Sequence, residues 1–156
     1  MKTKLLALAL VGLFTINGAM AQEQGDIRAN AGLNYLFGPW GGDGRIGFGL
    51  GGEYLITDAI SIAPSYYFSN KDDLKLNILN IDARYYFVTG DTQVYGKVGF
   101  ASYGGDASES GLTLGAGGIF NLSDNLGLNA ELDYGLSKPF DDAFGLGAKF
   151  GVVYTF

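Results

Sequence analysis

Read at every second position, the region from residue 26 to residue 156 divides into one face that carries no charge and another that carries all of it. Nine charged residues fall inside strand-like runs, namely Arg28, Arg45, Glu53, Asp82, Arg84, Lys97, Glu131, Asp133 and Lys149, and all nine share one face. Successive residues of a β-strand point to opposite sides, so a period of two predicts strands that are apolar on one side and polar on the other. The final run shows the pattern plainly. Phe144, Leu146, Ala148, Phe150, Val152, Tyr154 and Phe156 occupy one side; Gly145, Gly147, Lys149, Gly151 and Thr155 occupy the other, with Val153 the large apolar exception.

Turn signals divide this region regularly. Thr57-Asp58, Gly90-Asp91 and Ser123-Asp124 sit in short gaps, with their aspartates 33 residues apart, and longer polar or glycine-rich segments at 38–44, 69–75, 104–110 and 137–143 alternate with them. Three short and four longer connections predict eight strands, at 26–37, 45–55, 59–68, 76–88, 92–103, 111–122, 126–136 and 144–156. Strands of this length exceed the usual 5 or 6 residues of a soluble sheet and match the roughly 9 to 11 of a tilted transmembrane strand. Pro64 falls mid-strand on the apolar face and has no N–H for the ladder, which predicts a local bulge there.

The amino terminus supplies the compartment. Lys2 and Lys4 precede an apolar run from Leu5 to Phe14, and Ala19-Met20-Ala21 has the small-x-small form of a signal-peptidase site. The run is about half of the roughly 20 residues that cross a bilayer as a helix, so residues 1–21 are expected to be a cleaved secretory signal. Residues 22–156 then form one domain, whose net charge moves from -6 to -8 as two lysines leave (8 basic and 16 acidic residues remain). There is no cysteine for disulfides and no histidine, the commonest general base and metal ligand. An acidic chain without a basic patch is not expected to bind nucleic acid.

Periodicity alone does not say which face is outside, and a soluble periplasmic lipid-binding barrel would alternate in the same way with its faces exchanged. The aromatics favour lipid. Tyr35, Phe37, Tyr66, Phe68, Tyr134 and Phe144 lie toward one rim, and Tyr54, Tyr85, Phe87, Phe120, Tyr154 and Phe156 toward the other, as two girdles around an aliphatic belt. An open sheet edge in hydrocarbon leaves backbone groups unpaired at several kcal/mol each, so the first strand must join the last. The expectation is an all-β fold: a closed eight-stranded antiparallel up-and-down transmembrane β-barrel.

On these residues the chain resembles the small outer-membrane β-barrel proteins of the OmpX, OmpA transmembrane-domain and OmpW type. Tyr154-Thr155-Phe156, an aromatic-x-aromatic carboxyl end on an alternating strand, is similar to the assembly signal of that group. The resemblance is architectural and spans residues 22–156. It implies a Gram-negative outer membrane, insertion by the outer-membrane assembly machinery, both termini in the periplasm, and the longer loops outside. Membrane lipid and lipopolysaccharide are then the expected surroundings of a monomer. The outer loops, at about seven residues, are shorter than those by which some relatives bind host surfaces.

Five bases and four acids on the inner face nearly neutralise each other. Hairpin geometry predicts that Asp133 lies near Lys149 and that Lys97 lies beside Asp82 and Arg84, with the wall carrying Glu131 and Asp133 roughly across the barrel. Eight strands enclose a lumen just wide enough for side chains, so a satisfied polar plug is the leading expectation. The inward glycines, including Gly47, Gly49, Gly51, Gly115 and Gly117, leave room for a competing one. That alternative is a porin-like passage for small solutes or apolar molecules, with Tyr67, Tyr86, Tyr95 and Tyr103 partly filling the space.

Without histidine a Ser/His pair cannot be built, and no catalytic residue, cofactor or metal centre is expected. Asp72, Asp73, Asp141 and Asp142 in the outer loops could hold a divalent cation against lipopolysaccharide phosphate, with solvated loop charge the simpler reading. The glycine-rich stretch from Gly47 to Gly52 lies within a strand with no helix behind it, so it is no phosphate loop.

Overall fold

The computed structural model describes residues 22–37, 44–71, 74–105, 109–135 and 145–156; the expected signal segment, Phe144 and Asp72, Asp73, Asp141 and Asp142 lie outside them. The alternating runs form eight strands: β1 (Ile27–Leu36), β2 (Arg45–Thr57), β3 (Ile60–Lys71), β4 (Leu74–Val88), β5 (Thr92–Gly105), β6 (Glu109–Asn121), β7 (Leu126–Gly135) and β8 (Leu146–Thr155). Each pairs antiparallel with the next, and β8 returns to β1, so the sheet is a closed barrel in chain order. The closing seam runs from Arg28↔Thr155 to Leu36↔Gly147. No helix among the described residues is long and apolar enough to cross a membrane.

Parity decides which way each side chain faces. Ile46, Leu50, Ile81, Leu112, Leu132 and Phe150 stand exposed on the outer wall, while their neighbours Glu53, Asp82, Thr113, Glu131 and Lys149 are buried inside. The aromatics of the outer wall pair along or across strands, edge to face, as Tyr35–Phe37, Phe48–Phe68, Tyr85–Phe87 and Tyr154–Phe156. Such offset geometry adds about 0.5–1.5 kcal/mol per pair beyond burial.

The strands at the loop end run further than the polarity of their tips suggests. Asn70↔Lys75 and Lys71↔Leu74 extend the β3–β4 ladder, and Ser102↔Ser110 and Tyr103↔Glu109 extend β5–β6. Two of the expected seven-residue loops are therefore shorter, because paired backbone N–H and C=O groups outweigh the solubility of the side chains they carry. At the other end Thr57 caps the β2–β3 turn, its hydroxyl accepting from the Ala59 and Ile60 amides at 3.2 and 3.0 Å.

The bulge expected at Pro64 is absent. Pairing of β2 with β3 is interrupted between Gly51↔Ser65 and Tyr54↔Ile62 and resumes in the same register, whereas Pro64 still pairs with Ile81 on its other side. Two residue pairs, Gly52 with Pro64 and Glu53 with Ala63, drop out of this ladder, and the pairs on either side keep one register. The irregularities lie instead near the turns, at Leu55/Thr57 and Tyr86/Val88.

Candidate functional site: a charged lumen

The inner face is organised around one carboxylate. Glu131 enters from β7 and pairs directly across the hairpin with Lys149 of β8. Its Oε1 accepts from Lys97 Nζ at 2.7 Å and Lys149 Nζ at 3.0 Å; its Oε2 accepts from Arg84 Nη2 at 3.0 Å and Tyr95 Oη at 2.7 Å. A carboxylate offers about four lone-pair sites, so Glu131 is fully satisfied while only 3% exposed. Desolvation makes a buried carboxylate tolerable only under such conditions.

Two arms extend from this hub. Toward the loop end, Lys97 also reaches Asp82 at 2.9 Å and Asp133, and Lys149 reaches Asp133 at 2.8 Å. Toward the short-turn end, Arg84 reaches Glu53 at 3.2 Å, and Glu53 further accepts from Tyr86 Oη and Ser61 Oγ, both at 2.5 Å. Arg28 lies 3.7 Å from Glu53 and donates to Tyr86 Oη at 3.1 Å. Rings cover several cations: Arg84 sits 4.6 Å above the Tyr95 centroid and Lys149 4.9 Å from that of Tyr67.

Glycines open the space that these groups fill. A Cβ at Gly117 would meet Tyr95 Oη at 2.6 Å, and one at Gly115 would meet the Lys97 side chain at 2.9 Å. Both glycines lie on β6, between β5 and β7. That is why Lys97 of β5 reaches Glu131 and Asp133 of β7 directly, rather than facing a wall across the barrel as expected. Tyr67 lies against Gly49 in the same manner.

The lumen is also less uniformly polar than the charge pattern suggests. Tyr67, Leu76, Ile78 and Ala101 form a buried apolar cluster near the loop end, with Leu36 and Tyr103 against it. Tyr86, Tyr95, Ile119 and Val153 form another near the short-turn end. Val153, the exception in the last strand, belongs there. Tyr86 and Tyr95 belong both to this cluster and to the ionic network, so charged and apolar groups interleave toward the short-turn end.

Of the nine charges singled out from the sequence, eight interlock in this way. The ninth, Arg45, lies half-buried at the loop end of β2, eight residues from Glu53. Gln22 was not foreseen. The chain reverses at Gly25, whose φ is +95°, and Gln22 is buried at the short-turn mouth. There its amide donates to the Asp58 carbonyl and accepts from Arg28 Nη2 at 3.4 Å. The Gln24 amide N–H donates to the Asp58 carboxylate at 2.8 Å. The sequence signal for this return is small: a glycine followed by Asp26, whose side chain accepts from the Glu23 amide at 2.9 Å.

A closed antiparallel barrel with an apolar exterior, aromatic rims and a satisfied ionic interior defines a transmembrane β-barrel protein. Residues 6–156 match the family model described as outer membrane protein beta-barrel domain, and the chain belongs to that family. The protein is located in the outer membrane. Its fold is similar to the N-terminal β-barrel domain of Pseudomonas aeruginosa OprF (25% identity, TM-score 0.64, 86% of this chain and 100% of that one). It is likewise similar to the P. aeruginosa outer membrane protein OprG (14%, TM-score 0.66, 89% and 99%). Neisserial surface protein A is a further neighbour (18%, TM-score 0.62, 90% and 100%). No protein of curated function matches the chain.

Proposed function

We propose that this outer-membrane barrel is a non-enzymatic, monomeric membrane component with a closed lumen, serving a structural and surface-interaction role through its short outer loops. The observation that carries the reading is the saturation of Glu131 by Arg84, Lys97, Lys149 and Tyr95, which ties β4, β5, β7 and β8 together across the lumen. Tyr95 is fully buried and Tyr86 nearly so, and Gln22 covers the mouth beneath them. Lipid and lipopolysaccharide surround the outer wall, and Tyr154 and Phe156 present the carboxyl-terminal signal to the assembly machinery.

Planar-bilayer recording of refolded protein tests the reading against porin-like passage of small solutes. A closed lumen gives no steady single-channel steps. Steady steps that disappear when Arg84 or Lys97 is replaced would overturn it.

A further inference from the structure

Above the ion pairs, on the loop side, lies a cavity of about 30 Å³. Asn34 of β1, Asn80 of β4, Thr113 of β6 and Asp133 of β7 all line it; Asn34 Oδ1, Asn80 Oδ1 and Thr113 Oγ1 are buried oxygens with no hydrogen-bond donor, and Asp133 is the carboxylate that Lys97 and Lys149 share. A buried acceptor left without a donor costs about 1–3 kcal/mol. Three on one small space call for an occupant.

The neighbouring lysines cannot supply what is missing, since an ammonium has three N–H groups. Those of Lys149 are taken up by Glu131, Asp133 and the face of Tyr67. Those of Lys97 are directed at the carboxylates of Asp82, Glu131 and Asp133.

Three acceptor oxygens without donors suit a cation, which needs no acceptor of its own, better than a single water, which donates only two hydrogen bonds.

We propose that this cavity is a binding site for a monovalent alkali cation of sodium or potassium type, held by the oxygens of Asn34, Asn80, Thr113 and Asp133. A site of three neutral oxygens and one carboxylate already shared with two lysines has too little charge for calcium or magnesium, which take several carboxylates or keep several waters. A buried water needs about 10–15 Å³ measured in this way, so the space takes the ion with about one retained water. The site is a dead end only if the lumen is closed below it, and to that extent rests on the closed-lumen reading.

Crystals of the whole barrel grown in detergent and soaked in thallium(I) acetate test the site directly, with thallium standing for potassium. The expected result is an anomalous peak among Asn34, Asn80, Thr113 and Asp133; no peak there overturns the proposal. In solution, heat unfolding followed on gels should shift upward by a few degrees in sodium or potassium chloride relative to choline chloride at equal ionic strength. Thr113→Val, which removes an oxygen and keeps the shape, should abolish the difference. Equal midpoints in all salts for the unaltered protein, or an unchanged difference in Thr113→Val, refute the site. Conductance steps would refute the closed lumen instead and leave the thallium peak to decide this proposal on its own.

Discussion

Replacing Glu131 by glutamine isolates the hub. The side chain keeps its shape, but the network passes from four bases and four acids to four bases and three acids. Breaking a buried ion pair from one side costs about 3–5 kcal/mol. The lower end applies here, because every cation keeps another partner: Arg84 keeps Glu53, Lys97 keeps Asp82 and Asp133, and Lys149 keeps Asp133. Glu131→Gln should therefore lower the unfolding free energy by about 3 kcal/mol, measured by reversible urea unfolding in lipid vesicles. An exposed ion pair would give about 0–1 kcal/mol and weaken with salt. This loss should be the same at low and high salt, because burial removes the groups from the ionic atmosphere. A cost below about 1 kcal/mol, or one that vanishes in high salt, would refute the view of Glu131 as a desolvated four-donor hub.

Other substitutions probe the packing, the faces and the mouth. Gly117→Ala places a methyl 2.6 Å from Tyr95 Oη and 2.8 Å from the Ala130 carbonyl and should cost about 1–3 kcal/mol by overpacking. Gly52→Ala meets nothing nearer than 3.7 Å, so it should leave the midpoint of heat-modifiable gel migration unchanged. Ala130→Arg, near the middle of the lipid face of β7, should cost about 2–4 kcal/mol in vesicle unfolding, whereas Asn129→Ser on the inner face should cost less. Gln22→Ala should cost about 1–2 kcal/mol through the lost contacts to Asp58 and Arg28, read as a lower urea midpoint with unchanged membrane insertion.

The sequence makes the barrel legible because side-chain direction in a strand depends on parity alone, and lipid forbids charge on one parity. Arg28 and Lys149 can be placed inside without knowing any partner strand. The nearness of Lys149 to Asp133 is equally legible, since one hairpin joins them. The contact of Lys97 with Glu131 is not: it depends on the stagger of three strands and on Gly115 and Gly117 having no side chain to stand between. Gln22 was hidden for a different reason, since its burial follows from a chain reversal at Gly25 that carries no hydrophobic pattern. The ends of β3 and β5 were missed because Asn70, Lys71, Gly104 and Gly105 look like loop residues one at a time, while ladder pairing is a property of two strands.

The ionic interior also bears on how the strands find their register. A slip of one residue would turn every inward charge to the lipid, at about 2–4 kcal/mol for a midplane base. That alone excludes odd slips. A slip of two residues keeps the parity, so lipid does not oppose it, and only interior contacts can discriminate. Moving β8 by two against β7 would set Gly147 or Gly151 opposite Glu131 in place of Lys149 and leave a buried carboxylate short of one of its three cations. Moving β6 by two would bring Thr113 to the place of Gly115, or Ile119 to that of Gly117, and close the gaps through which Lys97 and Tyr95 reach β7. The apolar exterior thus fixes which face is out, and the alignment of Glu131, Lys149, Gly115 and Gly117 fixes which residue meets which.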